Sequence, residues 1–216
     1  MMPIIKICGL MNTEDAEMCL KYGADILGFV VEYPRPVPWN LSIKEAKEMM
    51  HINAPTCIVT GGDPKKILDI THELRPDYIQ LHYNESMEDV AFLATALPEV
   101  KIIKTIFPNN PNIVEETIGF CNTGIYALLL DPRIPDSATH GGQADLDLFM
   151  HVRSALDKPL ILAGGVNPEN IREIVQQVRP EIIDLMTGVE CYPGKKDESR
   201  VRRLFRNARF AALDFL

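Results

Sequence analysis

The chain has no excess of positive charge and no long apolar run. With 22 lysines and arginines against 30 aspartates and glutamates, its formal net charge is −8. Proteins that bind nucleic acids usually present a basic face to the phosphate backbone, so we expect no nucleic-acid partner. No apolar stretch approaches the roughly 18 residues of a membrane-spanning helix, and the first residues lack the features of a signal peptide. We therefore expect no membrane association.

The five cysteines form no CxxC pair and no cluster with histidine at the spacing of a zinc site. They are Cys8, Cys19, Cys57, Cys121 and Cys191. This pattern argues against a disulfide framework and predicts no structural metal. Free thiols are typical of a reducing compartment, so we expect a cytoplasmic location.

Short apolar segments alternate with amphipathic segments along the whole chain, which has 216 residues and is 46% hydrophobic. The predicted strands cover residues 3–8, 25–31, 55–60, 77–82, 100–105, 125–130, 159–163 and 181–187, and an amphipathic helix follows each of them. Apolar strands joined by crossover helices are typical of a parallel sheet that is covered on both faces. Eight such units predict an α/β fold, a single-domain (β/α)8 TIM barrel over residues 1–216. The alternative, a doubly wound open sheet, usually carries a GxGxxG motif after its first strand, and "CGLMNTED" lacks it.

Three polar side chains stand at the ends of predicted strands, where a barrel of this kind holds its active site. Cys8 closes strand 1, His82 strand 4 and Asp131 strand 6. A thiol beside a cation can have a lowered pKa and act as a base, and Lys6 lies two residues earlier on the same strand face. A carboxyl group on an apolar rim can stay protonated and act as an acid. The sequence therefore predicts that Cys8 and Asp131 form an acid–base couple. It also predicts that His82 binds an oxygen atom of the substrate.

Each of these three residues also has a purely structural interpretation. Buried free cysteines often serve only for packing. An aspartate before a proline often fixes a turn, and a lone histidine is often satisfied by a backbone carbonyl. These alternatives remain open at the level of the sequence.

Two glycine-containing loops follow the last two predicted strands. "AGGVNPENI" places Gly164 and Gly165 before a helix that is predicted to include residues 167–169 in its first turn, and "MTGVECYPGKKD" contains Gly188. In (β/α)8 enzymes, backbone N–H groups at these two positions often bind phosphate. Together the loops predict a phosphate site, although glycines that only form tight turns would give the same pattern.

With these residues in place, the sequence resembles the phosphoribosylanthranilate isomerase family, (β/α)8 enzymes of tryptophan biosynthesis. The segments "KICGLMNTEDA", "GADILGFVV", "PDYIQLH", "LLLDPRIP", "LAGGVNPENI" and "TGVECYPGKKD" follow the motifs of that family in order and at similar spacing. The resemblance implies an aldose–ketose type isomerase, an intramolecular oxidoreductase, that performs an Amadori rearrangement without a cofactor.

The resemblance also implies roles for individual residues. Asp131 would protonate the ribose ring oxygen of N-(5-phosphoribosyl)anthranilate, and Cys8 would remove the C2 proton to give the carboxyphenylamino-deoxyribulose phosphate. Lys6, Arg35, His82 and Asp184 would bind the substrate. Gly164, Gly165, Thr187 and Gly188 would bind its phosphate.

The sequence departs from the family at the end of the substrate that carries the anthranilate. After strand 2 the family places an arginine against the anthranilate carboxylate, whereas Trp39 stands there and Arg35 is the arginine that remains in the loop. After strand 6, "GGQADLDLF" keeps Gly141 and Gly142 but has Ala144 and Asp145 in place of a glycine and a lysine. The phosphate end and the chemistry are retained, whereas the anthranilate end is altered.

Three interpretations follow from this comparison. The chain is the tryptophan-pathway isomerase, a divergent paralogue that acts on another phosphorylated sugar or aminosugar, or a non-catalytic phosphate-binding barrel. The presence of both Cys8 and Asp131 argues against the third, because a binding module needs no acid–base pair. Trp39 and Asp145 keep the second open, and we favour the first. Either a monomer or a homodimer is expected, since the apolar end "FAALDFL" can be one face of an amphipathic helix or a dimer contact.

Overall fold

The computed structural model describes residues 2–133 and 142–213 and confirms the predicted barrel. Eight parallel strands pair in chain order, and the first pairs with the last to close the sheet. They are β1 (Ile4–Ile7), β2 (Ile26–Val30), β3 (Thr56–Thr60), β4 (Tyr78–Leu81), β5 (Lys101–Ile106), β6 (Ala127–Leu130), β7 (Leu160–Ala163) and β8 (Ile182–Leu185). The strands could be predicted from the sequence because nearly every residue in them is buried, so that each strand is a continuous run of mostly apolar residues.

A helix follows each strand and packs on the outside of the barrel. The helices are α1 (Thr13–Tyr22), α2 (Ile43–Met49), α3 (Pro64–Leu74), α4 (Met87–Ala96), α5 (Ile113–Cys121), α6 (Leu146–Ser154), α7 (Ile171–Val178) and α8 (Glu198–Leu213). Side-chain caps fix several N-termini: Ser42 and Ser86 form capping boxes, and Asn12 accepts a hydrogen bond from the backbone of Asp15. The prediction for α7 was wrong at its start, because residues 168–170 form a turn and the helix begins only at Ile171.

Alternate residues of the strands form two separate apolar layers. Outward-facing side chains such as Ile5 and Ile7 pack against the helices. Inward-facing side chains fill the barrel itself, and they include Ile26, Val30, Cys57, Val59, Ile103, Ala127, Leu129, Ile161 and Ile182. Because the barrel is filled in this way, ligand access is confined to its mouth.

A two-stranded hairpin after β8 was not predicted. It consists of β9 (Glu190–Tyr192) and β10 (Lys195–Lys196). Asp15 holds it from α1, since its carboxylate lies 2.5 Å from Nζ of Lys195 and accepts a hydrogen bond of 2.9 Å from the backbone N–H of Lys196. The hairpin forms part of the barrel mouth. Within the described part of the chain, no helix has the length and apolar character needed to cross a membrane.

Candidate active site

A cavity of about 790 Å³ opens at the C-terminal ends of the strands. Its lining includes most of the predicted site residues: Cys8, Arg35, His82, Gly164, Gly165, Asp184, Thr187 and Gly188. Lys6 and Asp131 belong to the same region but are covered, since they are 0% and 1% exposed. Arg133, which the sequence analysis did not single out, lies on the cavity wall. The predicted residues therefore meet at one site, with one additional arginine among them.

Lys6 and Asp184 form a buried ion pair inside the barrel. The Lys6 ammonium lies 2.8 Å from Oδ1 of Asp184 on the neighbouring strand. Burial alone would lower the pKa of Lys6, but the Asp184 carboxylate outweighs it and raises the pKa above the ordinary value. A Cβ on Gly28 would lie about 3.1 Å from both the Lys6 ammonium and the Cys8 sulfur. This glycine on β2 therefore leaves room for a permanent positive charge beside the thiol.

The Cys8 thiol has a raised pKa, contrary to the expectation of a lowered one. Burial raises the pKa of Cys8, and the charge of Lys6 acts in the opposite direction without overcoming it. The thiol is only 4% exposed. The charge of Lys6 lowers the pKa of Cys8 as predicted, but the loss of water around the sulfur raises this pKa by more.

The Asp131 carboxyl group has a lowered pKa, although the sequence predicted a carboxyl group that stays protonated. Burial alone would raise its pKa, but hydrogen bonds and charge from Arg133 outweigh burial and lower the pKa of Asp131. The Arg133 guanidinium contacts both carboxylate oxygens, with Nε at 3.0 and 3.1 Å and Nη2 at 2.6 Å. The backbone N–H of Arg133 adds a fourth hydrogen bond of 2.9 Å. The motif "LLLDPRIP" shows this arginine two residues after the aspartate, but not that it folds back.

His82 is neutral and points one ring nitrogen at Asp131. Its Nδ1 lies 3.0 Å from Nε2 of Gln80 and 3.0 Å from Oγ1 of Thr105. With the Gln80 amide in this orientation, its nitrogen donates to Nδ1, and the ring proton is then on Nε2. That nitrogen lies 3.6 Å from Oδ2 of Asp131. Burial lowers the pKa of His82 to about 4, so the ring acts as a neutral hydrogen-bond donor near neutral pH.

The neutral His82 predicts a pH dependence of stability. The unfolded chain binds a proton at this histidine below its ordinary pKa of 6.5, whereas the folded chain does so only near 4. The free energy of unfolding should therefore fall as the pH drops through this window. In His82→Asn, urea unfolding at a series of pH values should give a slope that is shallower by up to about 1.4 kcal/mol per pH unit. His151→Asn, on the exposed face of α6, is the control, and equal slopes in wild type and His82→Asn would contradict the prediction.

The two glycine loops meet at the mouth of the barrel. Gly164 and Gly165 have φ of 99° and 64°, a region that favours glycine. Gly188 lies in a 3₁₀ helix, Thr187–Val189, and a Cβ there would be 1.9 Å from the carbonyl oxygen of Val166. The loops after β7 and β8 therefore touch backbone to backbone, which places their peptide groups side by side on the cavity wall.

This contact predicts that Gly188→Ala separates the two loops. If they form the phosphate site that the sequence predicts, we expect the affinity for ribose 5-phosphate, measured by calorimetry, to fall by about tenfold or more, or roughly 1.4 kcal/mol. Gly119→Ala in α5 is a matched control, because there the new Cβ meets only the flexible end of Met87, which is 40% exposed. Unchanged phosphate affinity in a folded Gly188→Ala protein would rule out this site.

Each residue at which the sequence departs from the family has a partner of its own in the structure. Trp39 donates from Nε1 to Oε1 of Glu190 at 2.9 Å, so its indole is tied to the β9–β10 hairpin. The Arg35 guanidinium lies 5.2 Å from the centre of the Tyr83 ring and donates to its hydroxyl at 3.3 Å. Asp145, which replaces a lysine of the family pattern, accepts a hydrogen bond from the backbone of Leu148 and caps α6.

Gly141, which the sequence analysis named in the loop after strand 6, lies outside the described residues. Gly142 is described and lines the cavity, where it contacts Pro132 and Gly164. This contact brings the loop after β6 against the loop after β7.

Comparison with known proteins identifies the family of this chain. The family model for N-(5'-phosphoribosyl)anthranilate isomerase matches residues 5–207. The isomerase of that name from Thermotoga maritima is 31% identical over 210 residues, which cover 95% of this chain and 98% of the relative.

Two crystal structures agree with that relationship. Phosphoribosyl anthranilate isomerase from Thermotoga maritima superposes with a TM-score of 0.83 at 31% identity, over 97% of this chain and 100% of that chain. A structure of such an isomerase in complex with reduced 1-(o-carboxyphenylamino)-1-deoxyribulose 5-phosphate gives a TM-score of 0.81 at 30% identity, with the same coverage. The chain belongs to the N-(5'-phosphoribosyl)anthranilate isomerase family.

Proposed function

We propose that this chain performs the isomerisation for which its family is named, the Amadori rearrangement of N-(5'-phosphoribosyl)anthranilate in tryptophan biosynthesis. The observation that carries the proposal is a cavity lined by the Cys8 thiol from β1 and the two glycine loops, with the carboxyl group of Asp131 from the end of β6 directly behind Arg133 of the cavity wall. The substrate is anionic at both ends, and a cavity of about 790 Å³ is within the usual range for a ligand of this size.

The reaction begins at the ribose ring. Asp131, as a carboxylic acid, donates a proton to the ring oxygen while the C1–O bond breaks and the lone pair of the anthranilate nitrogen forms an iminium. The thiolate of Cys8 then removes the C2 proton, and the C–H electron pair forms the C1–C2 double bond of an enolamine. A solvent proton adds to C1, and the C2 hydroxyl releases its proton to solvent as the enolamine becomes the ketone. The sequence consists of proton transfers and one C–O bond cleavage, and it needs no external oxidant or reductant.

The neighbouring residues support these two proton transfers. The Lys6 ammonium, held by Asp184, stabilises the thiolate form of Cys8 by its charge. His82 donates toward Asp131 and the ribose, and Arg35 lies on the side of the cavity that is left for the anthranilate ring. Backbone N–H groups at Gly164, Gly165 and Gly188, with the Thr187 hydroxyl, hold the phosphate.

The pKa directions of the two groups favour the protonation states at the end of this reaction. A turnover starts with a carboxylic acid and a thiolate, and it ends with a carboxylate and a thiol, the forms that the lowered pKa of Asp131 and the raised pKa of Cys8 favour. Both states contain one proton on the pair. A new turnover therefore needs Cys8 to lose a proton and Asp131 to gain one, which can take place through solvent without net proton uptake.

Trp39 supports a second candidate function, because it stands at the position where the family has an arginine. A paralogue that acts on another phosphorylated sugar or aminosugar would retain the phosphate loops and the pair but not the carboxylate contact. The expected cytoplasmic location and the monomeric or dimeric state remain predictions.

Complementation of a tryptophan auxotroph that lacks this isomerase tests the proposal. We expect growth without tryptophan with the wild-type chain and none with Cys8→Ser at matched expression. A purified protein that binds ribose 5-phosphate but neither supports growth nor converts phosphoribosylanthranilate would favour the paralogue.

A further inference from the structure

The predicted acid of the reaction is hidden from the cavity by Arg133. Asp131 is 1% exposed, whereas the Arg133 side chain is 35% exposed and forms part of the cavity wall. Three contacts from the guanidinium and one from the backbone occupy the oxygens of the carboxylate. In this arrangement a substrate in the cavity meets the guanidinium first, and Asp131 has no proton to give.

Building on the proposed function, we propose that Arg133 recognises the carboxylate of the aglycone: its guanidinium moves from Asp131 to that carboxylate, and the exchange uncovers Asp131 as the acid. The group that triggers the chemistry is thus a carboxylate on the ring attached to the ribosylamine nitrogen. Arg133 is a substrate-binding residue that also controls when the acid becomes available.

The exchange suits the chemistry of the guanidinium. Its planar set of N–H donors already holds one carboxylate, so a second carboxylate of the same geometry can replace the first without loss of hydrogen bonds. A substrate without a carboxylate offers no second partner for the guanidinium. If Arg133 moved away from Asp131 in that case, it would lose an ion pair and gain nothing in exchange.

The charges in the cavity favour the aglycone over the phosphate as the anion. The charges of Arg133 and Arg35 both act on the Tyr33 hydroxyl, which donates a hydrogen bond of 2.8 Å to the carbonyl oxygen of His82 at the end of β4. The phosphate can be held by backbone N–H groups at those loops, whereas the aglycone carboxylate lacks the arginine that the family places after β2. Arg35 is the competing residue, and its guanidinium is already engaged with Tyr83.

When the guanidinium leaves, the proton on the pair can redistribute. Without the positive charge beside it, the buried Asp131 carboxylate becomes a better proton acceptor, because burial disfavours its charged form. Cys8 then loses a proton to water and Asp131 takes one up from water, which yields the thiolate and the carboxylic acid with no net change in bound protons.

The test compares two ligands on the purified protein by calorimetry: reduced 1-(o-carboxyphenylamino)-1-deoxyribulose 5-phosphate and the same compound without its carboxyl group. We expect wild type to bind the first at least about tenfold more tightly. In Arg133→Ala the ratio should fall to near one, and in Arg133→Lys, which lacks the paired donors, to well below the wild-type ratio. Arg206→Ala, on the exposed face of α8, should keep the full ratio.

Two outcomes would overturn the inference. One is a ratio that survives in Arg133→Ala but disappears in Arg35→Ala, which would assign the carboxylate to Arg35. The other is an equal loss of affinity for ribose 5-phosphate in Arg133→Ala, which would assign Arg133 to the phosphate.

Turnover separates recognition of the carboxylate from a structural role. Wild type should convert phosphoribosylanthranilate at least about tenfold faster at saturation than the aniline analogue without the carboxyl group, and Arg133→Ala should convert the two at similar rates. Equal rates in wild type would also overturn the inference. If wild type converts neither substrate, the proposed function fails, whereas the binding ratios still decide the inference.

Discussion

Cys8→Ser should lower kcat by a factor on the order of 10² to 10⁴, the range typical for loss of a general base, with little change in substrate affinity. Serine has nearly the shape of cysteine, but its hydroxyl does not ionise at accessible pH. The positive charge of Lys6 can help to form a thiolate at this position and cannot form an alkoxide. Steady-state kinetics of the purified variant is the measurement.

Cys57→Ser is the matched control for this variant. Cys57 faces the barrel interior from β3 and is 0% exposed, so its replacement also buries a hydroxyl group. We expect both variants to lose about 1 to 3 kcal/mol of stability, but only Cys8→Ser to lose turnover. Similar turnover in the two variants would remove Cys8 from its role as the base.

Asp131→Asn should produce a loss of similar size and should also invert the pH dependence at high pH. In wild type, kcat/KM falls through the range in which Cys8 titrates, because the pair then loses its single proton and no acid is left. In Asp131→Asn no acid exists at any pH, and the residual rate should rise over the same range as the thiolate forms.

The inversion distinguishes an acid from a residue that only shapes the site. A structural role for Asp131 predicts a lower rate with the wild-type pH profile. The measurement is kcat/KM of both proteins across the alkaline range, with unfolding followed in parallel. A residual rate in Asp131→Asn that falls with pH, as in wild type, would contradict the assignment.

Much of the fold could be predicted because its information is local. Segments such as "ALLL" and "IIDL" are buried on both faces, so each strand is visible as an apolar run without knowledge of its neighbours. Cys8 and Asp131 directly follow such runs, and their place at the barrel mouth follows from the fold. The hairpin was missed because β9 and β10 are only three and two residues long and have no clear alternation.

The protonation of the pair could not be predicted, because it depends on side-chain conformations. Lys6 was expected to lower the pKa of Cys8, and its charge acts in that direction, but the closed packing around the sulfur has the larger effect. For Asp131 the expected effect of burial is present, and Arg133 overrides it by folding back over the carboxylate. The sequence shows that Arg133 lies two residues after Asp131, but it does not show that the arginine side chain turns back onto the carboxylate.

The most direct test of the account is an NMR experiment in deuterated water on purified wild-type protein with phosphoribosylanthranilate. The account predicts that the C2 proton signal of the ribose disappears faster than in the same solution with Cys8→Ser, that a ketone carbon appears at C2, and that solvent deuterium enters C1. A C2 proton signal that persists equally with wild type, Cys8→Ser and no protein, while ribose 5-phosphate still binds, would contradict it.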